Sequence, residues 1–177
     1  MELGTLEDDF LLRAVNGTGG SDSFAFTATS PSTGNNFTWG DAVDGLNGSD
    51  SLSFAAFSGG VTLAVDGSGV ISGTSGANSM TATAVESVTG SSGSDTLSFA
   101  GVAGAVSFVV GSGSSVAATN GTTTLNATGV ESLVGGSGSD VLDLSAISTT
   151  LTFNFNAGVV TVTGTGISLS ASGIESI

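Results

Sequence analysis

The chain lacks most of the residues with which proteins do chemistry. Among its 177 residues there is no cysteine, histidine or tyrosine, and Lys and Arg together number one. Without cysteine no disulfide can staple the fold, and thiols give no hint of compartment. With neither His, Cys, Lys nor Tyr, the usual nucleophile–base pairs cannot be assembled, which argues against an enzyme. A single proline and a single tryptophan remove, respectively, most rigid turns and the aromatic girdles of a membrane barrel. No apolar run approaches the ~20 residues of a membrane helix. The opening MELGTLEDDF is acidic and has no apolar core of a signal peptide. Export is therefore expected by a route without an N-terminal signal, to the cell surface or beyond it.

Basic charge is the most telling deficit. Fifteen acids face one base, for a net charge of −14. Such a chain is repelled by phosphate backbones and anionic lipids, so nucleic acid is excluded as a partner. Yet charged residues make up only 9% of the chain. The acids are few and almost nothing balances them.

What the chain has in abundance is Gly, Ser, Thr, Val and Phe, arranged with a period of two in short runs cut by Gly and Asn. That pattern reads as all-β. One phrase recurs four times: GTGGSDSFAF (17–26), GLNGSDSLSF (45–54), GSSGSDTLSF (90–99) and GGSGSDVLDL (135–144). Asp50, Asp95 and Asp140 in these phrases stand 45 residues apart, and Asp22 begins a shorter first copy. The period extends well beyond the motif. Val61, Val106 and Leu151 share one column, Leu63, Phe108 and Phe153 the next, and Val65, Val110 and Phe155 a third. Gly76, Gly121 and Gly166 form a turn column, and Glu86, Glu131 and, after one deletion, Glu175 align in AVESV, GVESL and GIESI.

A fixed period of this size predicts a parallel β-solenoid or β-roll-like stack in which each ~45-residue repeat buries its apolar face on the next. The repeats are 50–94, 95–139 and an incomplete 140–177. Residues 1–49 form a divergent N-terminal repeat or cap carrying Arg13, Pro31 and Trp39, with Glu7, Asp8 and Asp9 blunting that end. Each copy is expected to occupy the same step. ASGIESI at the other end carries little charge, which leaves either a piece of a longer array or an open end that docks on another subunit.

GGSGSDVLD (135–143) fits the nonapeptide G-G-x-G-x-D-x-U-x, with U apolar, at every specified position. It resembles the repeat of RTX proteins, the secreted calcium-binding toxins, proteases and adhesins of bacteria; GSSGSDTLS (90–98) departs from it at Ser91. The succession SDTLSF, AVSFVV and GVESLVGGSGSD is similar to the longer modules of very large bacterial adhesins. The resemblance implies extracellular calcium held between stacked turns, with glycines letting carbonyls converge and Asp adding a hard oxygen. On that reading the ligands are Asp140, then Asp95, Asp50 and Asp22, with Glu131 and Glu86 nine residues before the next Asp as partners. The family's sites rest on tandem nonapeptides, and here at most two run in sequence. The alternative is that GSD is an Asx-type turn in which Asp accepts backbone N–H bonds.

Other features carry less. A glycosidase needs two carboxylates, but acids copied with the structural period are expected to serve structure. Thr-rich TTTLNAT (122–128) and VTVTGTG (160–166) do not repeat T-x-T in every copy, as an ice-binding array would. The Asn-x-Ser/Thr triplets at Asn16, Asn36, Asn47, Asn120 and Asn126 fall in no single column. The expected function is an extracellular structural repeat protein that associates with itself as fibre, sheath, matrix layer or adhesin stalk, with calcium as a possible stabiliser and cell-surface polysaccharide as a possible further partner. The alternatives are a calcium-binding β-roll module of a larger secreted enzyme or toxin, or a polysaccharide-binding or -cleaving β-helix.

Overall fold

The computed structural model describes residues 14–26, 36–37, 40–76 and 78–177. The N-terminal acids, Arg13, Pro31 and Trp39 lie outside the described residues. Two sheets face each other across one apolar core. The first repeat contributes β1 (Ala14–Asn16), β2 (Ser23–Phe26), β3 (Asn36–Phe37) and β4 (Ala42–Asp44). The second contributes β5 (Ser51–Ser53), β6 (Thr62–Val65), β7 (Ile71–Ser75), β8 (Asn78–Thr83) and β9 (Ser87–Thr89). Next come β10 (Thr96–Ser98), β11 (Ser107–Val110), β12 (Val116–Thr119), β13 (Thr124–Thr128) and β14 (Ser132–Val134). The last are β15 (Val141–Asp143), β16 (Leu151–Asn156), β17 (Val159–Gly164) and β18 (Ile167–Ser172). One sheet runs β1-β4-β8-β7-β6-β10-β14-β18-β17-β16 and the other β3-β2-β5-β9-β13-β12-β11-β15.

The chain passes back and forth between these sheets and stacks coil on coil, so the expected parallel β-solenoid is present. Coils stack in parallel register, as in Thr62↔Thr96↔Ser132↔Ser170 on one sheet and Ser23↔Ser51↔Ser87↔Asn126 on the other. The structure adds two features. Each copy from Asp50 onward contains an antiparallel three-strand meander: β6-β7-β8, β11-β12-β13 and β16-β17-β18. The two complete 45-residue repeats each make three passes between the sheets. An odd number of passes leaves the chain on the opposite sheet, so successive meanders alternate between faces. Identical sequence therefore recurs by a half-turn as well as a translation.

Turn chemistry explains where the meanders fold back. Gly76, Gly121 and Gly166 have φ of +60°, +88° and +72°, a region that costs L side chains energy. In the β6–β7 turn, Asp66 Oδ1 accepts the N–H groups of Ser68 and Val70 at 2.8 and 3.0 Å, a side-chain substitute for a backbone turn.

Alternate residues fill the core as the period of two requires. Val61, Leu63, Val65, Val106, Phe108 and Val110 are buried, and so are Leu52, Leu97 and Leu142, the apolar residues that follow the Asp column. Phe99 meets Phe108 edge to face at a centroid distance of 5.5 Å, the arrangement aromatic quadrupoles favour. The third copy breaks the pattern. Phe153 and Phe155 are 40% and 70% exposed, whereas Phe108 and Val110 in the same columns are wholly buried. The reason is positional. β6 is covered by β10 and β11 by β15, while β16 is the outermost strand of its sheet. Among the described residues no helix is long and apolar enough to cross a membrane.

Candidate functional site

The four Asp residues sit where the chain turns from one sheet to the other, and the structure gives each a specific task. The Asp main chain is clipped by a Glu from the next coil. The N–H groups of Asp50, Asp95 and Asp140 donate to Oε2 of Glu86, Glu131 and Glu175 at 2.7, 2.8 and 2.7 Å. In return the Asp carbonyls accept the N–H groups of those Glu residues at 3.0, 3.1 and 3.0 Å, together with that of the following Ser. Glu86 thus pairs with Asp50 and Glu131 with Asp95, rather than with the Asp nine residues downstream. Glu175 completes the set. Its place in the Glu column was visible in the sequence, but the nonapeptide reading, which looks forward to a following Asp, left it out.

The Asp carboxylates join coils in the opposite direction. Oδ1 of Asp50, Asp95 and Asp140 accepts the N–H of Asp22, Val61 and Val106, each at 2.7 Å. These three side chains are buried, with no cationic partner among the described residues, and bonds from N–H to a carboxylate are of the stronger, charge-assisted kind. The second oxygen divides the set. Oδ2 of Asp95 accepts the Ser91 N–H at 2.7 Å and its hydroxyl at 3.0 Å, and Oδ2 of Asp22 accepts the Thr18 N–H at 2.6 Å. Oδ2 of Asp50 and of Asp140 is buried without a partner. Local sequence accounts for the difference. Four residues before Asp50 stands Leu46, at φ +70°, whose N–H turns to Asp44 Oδ1. Four residues before Asp140 stands Gly136, where a Cβ like that of Ser91 would collide with the Val102 carbonyl.

The first glycine of each phrase is fixed by the same packing. A Cβ at Gly45, Gly90 or Gly135 would lie 2.6, 2.6 and 2.5 Å from Oδ2 of its own Asp and would overlap the carbonyl oxygen of Ala84, Gly129 or Gly173. Those three carbonyl-bearing residues form a column of positive φ, at +50°, +63° and +61°. Ala84 is the only one of them that carries a side chain there.

No group of three His, Cys, Asp or Glu converges among the described residues. The six residues expected as calcium ligands are instead spread along the turns, each engaged with main-chain N–H groups. Outside the column, Ser145 holds the exposed Asp143 below the usual carboxylate range through its hydroxyl and then its N–H.

Two surface grooves adjoin the Glu column. One, of about 320 Å³, includes Ser68, Ala84, Glu86, Thr122 and Thr123. The other, of about 460 Å³, is its copy one repeat later, with Gly113, Gly129, Glu131, Ile167 and Ser168. Each holds one carboxylate among its lining residues, and that carboxylate already accepts an Asp N–H. A glycosidase pair requires two. No family model and no curated protein matches the chain.

Proposed function

We propose that this protein is a structural β-solenoid module, acting outside the cell and associating with further copies of itself in a fibre, sheath, matrix layer or adhesin stalk. The observation that carries this reading is the exposure of Phe153 and Phe155 at the last strand of one sheet, in columns whose other members are buried. A large exposed apolar surface on an open strand edge is a template for association. The recurring acids support the same reading from another side: the Asp and Glu columns hold coil to coil through main-chain bonds. The reading also makes the protein a non-enzyme, since the acids of the two grooves, Glu86 and Glu131, recur with the structural period.

Sedimentation over a range of concentrations, followed by negative-stain microscopy, tests it. The expected result is concentration-dependent growth into elongated particles, strengthened by salt because copies of net charge −14 repel one another. A strict monomer at the highest concentration and at high salt would overturn it.

A second reading, a calcium-binding β-roll module, is favoured by one observation: Oδ2 of Asp50 and of Asp140 is buried and unpartnered. One orphaned carboxylate oxygen at each place falls short of the six to eight oxygens that calcium takes, and the other expected ligands point to N–H donors. The residues described do not fit a calcium shell, and the structural reading does without the ion.

A further inference from the structure

Asn followed by Gly occurs three times in the chain, at Asn16, Asn47 and Asn120. The fold holds the three pairs in different ways. We propose that Asn47 is a site of spontaneous covalent modification, at which the side-chain amide is lost through a succinimide and the turn before Asp50 acquires an isoaspartyl link.

The reaction needs only the pair itself and water. The Gly main-chain nitrogen attacks Cγ of the Asn side chain. A new N–Cγ bond forms, the Cγ–Nδ2 bond breaks, and ammonia leaves with the proton of the Gly amide. Water then opens the five-membered ring. Cleavage at Cγ gives aspartate; cleavage at the main-chain carbonyl carbon leaves the chain running through the side chain, as isoaspartate. No other side chain has to assist, so a chain without His, Cys or Lys undergoes it all the same. The fold decides whether nitrogen and carbon reach a near-attack geometry, and glycine puts no Cβ in the way.

At two of the pairs the reacting groups are tied. The Gly17 N–H donates to the Asp44 carbonyl at 2.7 Å, where β1 lies beside β4. The Gly121 N–H donates to Thr119 Oγ1 at 3.3 Å. Asn120 Oδ1 accepts the N–H groups of Thr122 and Thr123 at 3.1 and 2.9 Å and their hydroxyls at 2.9 and 3.1 Å. The third pair is not tied. Residues Leu46 to Ser49 are exposed, and among the described residues neither the Asn47 side chain nor the Gly48 N–H has a hydrogen-bond partner.

The other copies of the phrase show why. Gly20 and Gly93, in the column of Gly48, donate their N–H groups to the hydroxyls of Thr18 and Ser91, two residues earlier, at 3.2 and 2.9 Å. Leu46 stands in that place and has no hydroxyl. Ser92 and Ser137, in the column of Asn47, donate their N–H groups to the carbonyls of Phe57 and Val102 on the neighbouring coil at 3.1 and 3.0 Å, a bond that Asn47 lacks. Leu46, which leaves Asp50 Oδ2 unpartnered, thus leaves the Gly48 nitrogen unheld as well.

The turn has little room for the product. A Cβ at Gly48 would overlap the Gly20 carbonyl oxygen and stand 3.1 Å from the Ser21 nitrogen, on the preceding coil. Isoaspartate lengthens the main chain by one carbon at that contact. Two residues on, Asp50 Oδ1 accepts the Asp22 N–H at 2.7 Å, so a displaced turn loosens the junction of the first two coils.

Incubation of the folded protein at mildly alkaline pH, followed by peptide mapping with mass spectrometry and by enzymatic methylation of isoaspartate, tests the proposal. Asn16 and Asn120 should convert about tenfold more slowly than Asn47, and in urea, where only local sequence counts, the three should convert at similar rates. Leu46→Ser returns the hydroxyl and should slow Asn47 about threefold to tenfold, the worth of one neutral hydrogen bond. The converted chain should melt below the unconverted one. Equal conversion of the three pairs in the folded protein would overturn the proposal, as would an intact Asn47 under conditions that convert it in urea. No slowing in Leu46→Ser would overturn the role given to the Gly48 N–H, and unchanged melting after conversion would overturn the effect on the junction.

Discussion

Asp95 and Asp140 occupy the same column, are equally buried and each accept a main-chain N–H on Oδ1 at 2.7 Å, yet their amide variants should behave differently. In Asp95→Asn the new NH₂ must face either the Val61 N–H or the Ser91 N–H, since both carboxylate oxygens now accept one. One buried N–H loses a charged acceptor and meets a donor. Hydrogen bonds to charged groups contribute about 1.5–3 kcal/mol and an unsatisfied buried donor costs about 1–3 kcal/mol. Relief of the buried charge returns part of this, for a net loss of roughly 2–4 kcal/mol. In Asp140→Asn the amide oxygen keeps the Val106 N–H, and the NH₂ replaces an oxygen that has no partner. Removing an uncompensated charge there is expected to lie within about 1 kcal/mol of neutral, on the stabilising side.

Chemical denaturation followed by circular dichroism separates the two, with D95N losing at least about 2 kcal/mol more than D140N. Equal losses would refute the assignment of Oδ2 as the difference. Repeating both melts with calcium and with a chelator extends the test. If main-chain donors are the partners of this column, wild type and D140N give superimposable curves in the two buffers. A calcium-dependent gain in the wild type that vanishes in D140N would restore the metal and overturn the account of the column given above.

Two further substitutions probe the column of positive φ and the glycines facing it. Ala84→Gly removes a methyl from a residue at φ +50°, where Gly129 and Gly173 stand in the other copies. A left-handed residue costs an L side chain about 1–2 kcal/mol and glycine loses about 0.4–1 kcal/mol through the unfolded chain, so a gain of roughly 0.5–1 kcal/mol is expected; a loss in the denaturation midpoint would contradict the strain. Gly90→Ala puts a Cβ into the Gly129 carbonyl and 2.6 Å from Asp95 Oδ2. The coil must open to admit it, and destabilisation beyond about 3 kcal/mol, typical of an overpacked site at the upper end, should appear as lost β signal or insoluble expression, whereas Gly76→Ala, at a turn with open space around it, should cost only the left-handed penalty of about 1–2 kcal/mol.

Much of this was legible from the period alone. Val61, Leu63 and Val65 and their copies Val106, Phe108 and Val110 point inward because side chains alternate on a strand, and the glycines at 76, 121 and 166 mark turns because only glycine adopts their φ cheaply. Long-range pairing was not legible in the same way. The Glu of VES looks adjacent to the following GSD in sequence, but it bonds to the preceding one, 36 residues back. A local motif has no means of revealing that its partner lies one coil away. The odd number of passes was hidden for a related reason: translation by one repeat and translation with a half-turn leave the same sequence period.

That half-turn bears on how the stack could extend. Because each repeat hands its meander to the opposite sheet, a surface patch returns to the same face only after two repeats. The 28-residue step between Asp22 and Asp50 is different in kind. It makes two passes, from β2 to β4 and back to β5, so Asp22 lies directly over Asp50 and donates its N–H to Oδ1 at 2.7 Å. A coil without a meander thus adds to the stack without rotating it.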